Sequence, residues 1–75
     1  MHTRQINLQS IDHVKLFVQL VNEYPFDIDL ASGRYVIDAK SIMGIFSLDL
    51  TVPVDVRIHS DDAAELIERL EPFLA

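Results

Sequence analysis

The sequence predicts an α+β open sandwich, in which one four-stranded sheet carries all of its helices on a single face. Two observations carry this. Three segments alternate apolar and polar residues with the period of a strand and a fourth, Arg34 to Asp38, is rich in aromatic and β-branched residues, while the stretches between carry apolar residues at helical spacing. The order strand, helix, strand, strand, helix, strand, helix lets every apolar row meet every apolar stripe across one interface. With 75 residues the chain has room for one core, so residues 1–75 are expected to form a single domain. An apolar content of 49% excludes disorder for want of burial. A domain of this size buries roughly 60% of its unfolded surface, which leaves little room for an enclosed active site.

The elements follow in order. Ile6 and Leu8 alternate with Gln5, Asn7 and Gln9, predicting a short strand over Gln5 to Gln9, while His2 falls in a mobile terminus. Ile11, Val14, Phe17, Val18 and Val21, widened by Leu20, make the stripe of an amphipathic helix from Ile11 to about Glu23. Ser10 is its N-cap, Asp12 sits in the first turn where the helix dipole favours an acid, and Pro25 stops the helix. Phe26 to Leu30 and Arg34 to Asp38 form a hairpin, with Gly33 free to take a positive φ in the turn.

Ser41 caps a short apolar helix over Ile42 to Leu48. The strand Thr51 to Ile58 turns Val52, Val54, Val56 and Ile58 inward, with Pro53 near its entry. Ser60 caps the last helix, Asp61 and Asp62 occupy its first turn, and Ala63, Leu66, Ile67, Leu70 and Leu74 are its buried stripe. Pro72 frays or kinks the last turn. Asp27, Asp29, Asp55 and Arg57 then point outward, and this accounts for much of the charge.

Composition excludes several partners. Twelve carboxylates against six Lys and Arg give a formal charge of −6, and the cations are scattered singly, so nucleic acid is not an expected partner. The same sign argues against anionic membrane surfaces. No apolar run is long enough for a signal peptide or a membrane span, so membrane insertion is not expected. A domain this small without cysteine has no disulfide framework and suits a reducing, cytoplasmic setting. The histidines lack metal-ligand spacing, and only two glycines are present, with no glycine-rich phosphate loop. No cofactor, metal or enzymatic site is expected.

The block Asp38-Ala39-Lys40-Ser41-Ile42-Met43-Gly44-Ile45-Phe46-Ser47-Leu48 resembles the HPr family, the histidine-containing phosphocarriers of the bacterial sugar phosphotransferase system. The likeness runs from the Ile6 strand to the last helix, and its most specific part is Lys-Ser-Ile-Met-Gly. It implies a four-stranded antiparallel sheet with three helices on one face, in the order βαββαβα.

In the family a Gly-Leu-His-Ala-Arg-Pro-Ala motif opens the first helix, and its histidine accepts and then donates the phosphoryl group. Matching Phe17-Val18 to the family's Phe-Val puts Gln9 and Ser10 at the Leu and His positions, Asp12 at the Arg and His13 at the Pro. The register continues without a gap to Ser41. A serine thus stands for the phosphoacceptor and an acid for its cation. Charge-assisted hydrogen bonds to a phosphate contribute about 1.5–3 kcal/mol each, and reversing the charge adds repulsion to their loss.

The resemblance assigns further roles by position. Ser41 matches a serine that a dedicated kinase phosphorylates in many HPr proteins, where a phosphate would lie at the positive end of the helix dipole with Lys40 beside it. Ile42, Met43 and Phe46 match the apolar patch on which the phosphotransferase enzymes dock, and they share one helical face; Ile45 and Leu48 turn inward. Gln19 and Asn22 occupy the adjacent helix face in place of basic residues.

The leading expectation is an HPr-like docking or regulatory module without histidine phosphotransfer. Its partners would be phosphotransferase-system enzymes or an HPr kinase, engaged through the short apolar helix. The alternative is an active phosphocarrier using His13, a surface histidine on a polar helix face, or another acceptor. A small-ligand sensor on the same sheet is a third reading.

Overall fold

The first strand is set by pairing more than by its own pattern. In a computed structural model that describes residues 1–75, β1 spans His2–Ile6 and runs antiparallel to β4, Val54–Ile58, with His2 opposite Ile58 and Ile6 opposite Val54. Both N-terminal expectations are therefore corrected: the strand lies three residues nearer the terminus than the expected Gln5 to Gln9, and His2 belongs to it. The polar run from His2 to Gln5 carries no alternation because β1 is an edge strand whose side chains remain largely in solvent. Leu8 is buried, but from the segment that leads into α1, Ile11–Asn22.

β2, Ile28–Ser32, and β3, Tyr35–Asp38, form the hairpin, and the sheet order is β1-β4-β2-β3 with every pair antiparallel. Gly33 has φ +57° and Arg34 a negative φ, the pattern of a type II′ turn, whose twist suits a two-residue hairpin. Ile28, Leu30, Val54, Val56 and Ile58 are buried, while Asp29, Asp55 and Arg57 alternate with them on the outer face.

Against the inner face lie Val14, Phe17, Leu20 and Val21 of α1, Ile45 of α2 (Ile42–Phe46) and Leu66 of α3 (Ala64–Arg69), joined by Leu70 and Phe73. Burial removes apolar surface from water at roughly 25 cal/mol per Å², and the core holds no buried polar side chain to offset it.

Four local expectations are corrected. Ile11 is 63% exposed, facing an open groove at the first turn of α1 instead of the core. Val52 is 46% exposed, because β4 begins only after Pro53. α3 starts at Ala64 after Ala63; Ser60 instead accepts the Asp62 N–H in a tight turn at 3.1 Å. Leu74 is exposed and Phe73 takes its place in the core. Pro72 sits in a 3₁₀ turn over Glu71–Phe73, and three residues per turn bring position 73 onto the face of Leu70 where an α-helix would bring 74. The tail then runs beside β1, with the Asn7 N–H donating to Phe73 O at 2.8 Å and the Ala75 N–H to Gln5 O at 3.1 Å.

No helix is long and apolar enough to cross a membrane.

Candidate functional site

The mouth of α1 is built by Ser10. Its extended backbone turns the chain into the helix, and its Oγ accepts the His13 N–H at 3.0 Å. The hydroxyl therefore holds one of the first-turn N–H groups that would otherwise face an arriving anion. Asp12 is exposed in the same turn. His13, expected on a polar surface, is half-buried: its ring stacks on Phe73 with centroids 4.5 Å apart and planes 19° apart.

No Lys or Arg side chain forms a hydrogen bond or ion pair at this mouth. Arg4 donates to Thr3 O, Lys40 to Tyr24 O, and Arg69 to Glu23 and Tyr24, while Lys15, Arg34 and Arg57 take part in no ion pair.

Ser41 caps α2 by accepting the Gly44 N–H at 3.2 Å, and Ser41 and Met43 are exposed. Lys40 does not stand free beside it. Its Nζ donates to Tyr24 O at 2.6 Å, tying the end of α1 to the start of α2. Asn22 donates to Val18 O and reaches Lys40 O at 3.5 Å, so it too is engaged in joining the helices. A Cβ at Gly44 would lie 3.6 Å from Ile37 Cβ and 3.4 Å from Ser41 Oγ, ordinary van der Waals contacts, so the packing of α2 on β3 does not require a glycine there.

Met43 is 78% exposed and Phe46 44%, with Ile42 partly buried against the core, while Ile45 and Leu48 are buried as their spacing required. Sequence reasoning missed the neighbours of this face. An open groove of about 330 Å³ runs from the mouth of α1 to the end of α2, lined by Ser10, Ile11, Phe46, Leu50 and others. It joins Ser10 to the apolar helix as one surface. Ile11 falls on the same helical face as Val14 and Val18, so spacing alone could not separate it from the core; only its place in the first turn marks it.

The far end of α1 is locked by a polar cluster. Arg69 pairs with Glu23 at 2.8 Å and donates to Tyr24 Oη at 3.0 Å, and Tyr24 donates to Glu65 Oε1 at 2.7 Å. The Arg69 hydrogen bonds hold the Glu23 carboxyl below its ordinary range, and burial followed by the Glu65 contact pushes the Tyr24 phenol up. On the outer face, His59 Nε2 and Asp29 Oδ2 are 2.8 Å apart.

Comparison with known proteins agrees with this architecture. The family model described as the PTS HPr component phosphorylation site matches residues 12–75, a span that begins just past Ser10. The HPr-like protein Crh of Bacillus subtilis (strain 168) is 33% identical over 61 residues, covering 79% of this chain and 72% of the relative. Among solved structures, the HPr-C-His protein of Thermoanaerobacter tengcongensis superimposes with a TM-score of 0.77 at 28% identity, over 96% of this chain and 89% of that one. The phosphocarrier protein HPr of Bacillus anthracis str. Ames gives 0.74 at 25% identity, over 99% and 96%. By the family match over most of its length, and by a fold that reproduces the HPr strand order and helices, this chain belongs to the HPr family, whose members are phosphocarriers of the phosphotransferase system rather than enzymes.

Proposed function

We propose that this chain is a single-domain HPr-like docking or regulatory module that does not relay phosphate through a histidine. The observation that carries the reading is the state of the α1 mouth. Ser10 stands at the acceptor position with its Oγ engaged by the His13 N–H, Asp12 stands where a cation would be needed, and no Lys or Arg side chain is bonded there. A phosphoryl group arriving at this point would meet a carboxylate and no guanidinium. His13 lies in the first turn, but its ring is stacked on Phe73 and it shares that turn with Asp12.

What the chain keeps is a surface. Ile42, Met43 and Phe46, continued by Ile11 and Leu50 along the groove, offer an apolar patch to a protein partner of the phosphotransferase system or to an HPr kinase. Ser41 is the regulatory position on that patch. A phosphate on it would meet the N–H groups opening α2, and it would do so without Lys40, whose ammonium is committed to Tyr24 O. A cytoplasmic location follows from such partners.

The test uses two reactions on the same protein. Incubation with ATP and a bacterial HPr kinase, followed by peptide mapping, is expected to place phosphate on Ser41 and to leave Ser41→Ala unmodified. Incubation with phosphoenolpyruvate and the first enzyme of the system is expected to leave no acid-labile phosphate. Phosphate on His13 in the second reaction would establish the active-carrier alternative.

A further inference from the structure

The two edges of the sheet are treated differently. Along β1 the last residues are covered by the C-terminal tail, which donates from Ala75 to Gln5 O and forms a bridge between Leu74 and Ile6. Along β3 nothing pairs. The strand contains no proline, lysine or bulge that would blunt it, and Tyr35 and Val36 are 70% and 52% exposed.

The hairpin register fixes which main-chain groups are free. A two-residue turn makes Ser32 and Tyr35 a hydrogen-bonded pair, so Ile37 pairs likewise with Leu30, and the Ala39 N–H donating to Ile28 O at 2.9 Å continues the alternation. Val36 is the out-of-phase position, and its N–H and C=O point away from β2 toward the open edge.

Charge is distributed along this edge in a self-complementary way. The Arg34 side chain makes no ion pair or hydrogen bond within the chain, and Asp38 faces Asp29 across the hairpin; Asp29 has Arg57 opposite it on β4 and His59 at its carboxylate, whereas Asp38 accepts the Lys40 N–H and makes no ion pair. Like charges directly opposite on a sheet are destabilising.

An antiparallel twofold axis at Val36 resolves all three features. It places Val36 opposite Val36 of a second copy, where each N–H meets the other's C=O. It sets Tyr35 against Ile37 in an aromatic and β-branched pair, and it brings Arg34 to Asp38 twice.

We propose that the chain self-associates edge to edge through β3, forming a continuous eight-stranded antiparallel sheet across two copies in this register. The contact is small, so association is concentration-dependent and weak.

Sedimentation equilibrium up to about 1 mM tests this. The parent chain is expected to shift from monomer to dimer over that range. Val36→Pro removes the edge N–H without removing a hairpin hydrogen bond, so it is expected to stay folded and monomeric throughout. Arg34→Asp is compared with Arg4→Asp, which changes net charge equally on the opposite edge; Arg34→Asp is expected to weaken dimerisation by about tenfold more. A parent that is monomeric at every concentration overturns the proposal, and so does a dimer that survives in folded Val36→Pro. Equal weakening by the two arginine variants overturns it as well, and that comparison decides the matter should Val36→Pro fail to fold.

Discussion

The imidazole of His13 lies flat on the ring of Phe73, 4.5 Å between centroids, and Phe73 in turn meets Phe17 edge-on at 5.7 Å. One stack thus anchors the mouth of α1 to the 3₁₀ turn near the C-terminus. It also explains why a histidine in the first turn is a packing residue here.

Phe73→Ala removes both aromatic contacts and a side chain that is 6% exposed, and is expected to destabilise the protein by about 3 kcal/mol in urea denaturation. His13→Ala alone should cost less, and the double variant should show a coupling of about 1 kcal/mol. Additive losses would mean that the stack contributes nothing of its own.

Ser10→Ala leaves the His13 N–H without its acceptor, and a loss of about 1 kcal/mol is expected, while Ser10→Asp restores the cap. The comparison of the two variants by chemical denaturation reads the cap separately from any loss of packing.

The Glu23, Tyr24 and Arg69 cluster makes stability depend on pH at both ends. Glu23 has its folded-state pKa held below the ordinary 4.5 by the Arg69 hydrogen bonds. Its contribution is therefore complete above pH 4.5 and is lost as pH falls through the lower folded value. Tyr24 is raised above 10.0 by burial and its bond to Glu65, so its contribution is complete below pH 10.0 and is lost as pH rises through the folded value. Against Arg69→Gln, the parent's advantage in thermal denaturation should be full at neutral pH and shrink below pH 4.5; an advantage that persists into strong acid would remove Glu23 from the account.

Gly33 meets no atom within 4 Å where a Cβ would go, so Gly33→Ala costs only conformational strain at φ +57°. A loss of about 1 kcal/mol is expected by urea denaturation. No change would argue against the type II′ turn.

These relationships divide sharply by how far apart their residues lie in the chain. α1, the caps at Ser10 and Ser41, the Gly33 turn and the inward set of Ile45 and Leu48 were legible in the sequence because each depends on neighbours within one turn, whereas the cap expected at Ser60 went instead to a tight turn ahead of α3. β1 was not legible, since His2 to Gln5 become a strand only by pairing with Asp55 to Ile58, fifty or more positions away. Leu8 misled because it is buried without belonging to the strand. The exchange of Leu74 for Phe73 turned on the pitch that Pro72 imposes, which hydrophobic spacing presumes in advance.

Ser10 and Ser41 are the helix caps, and Met43 the exposed residue of α2, that the sequence predicted. Ile11 and the commitment of Lys40 to Tyr24 O emerged only from the packing of α1 against its neighbours.

The central claim concerns the chemistry of one helix mouth, and acid-labile phosphate per mole of protein tests it most directly. With phosphoenolpyruvate, the first enzyme of the phosphotransferase system and a histidine-bearing HPr as positive control in parallel, the control is expected to approach full labelling while this chain stays at background. Labelling of this chain at a rate comparable to the control, lost in His13→Ala, would contradict the account.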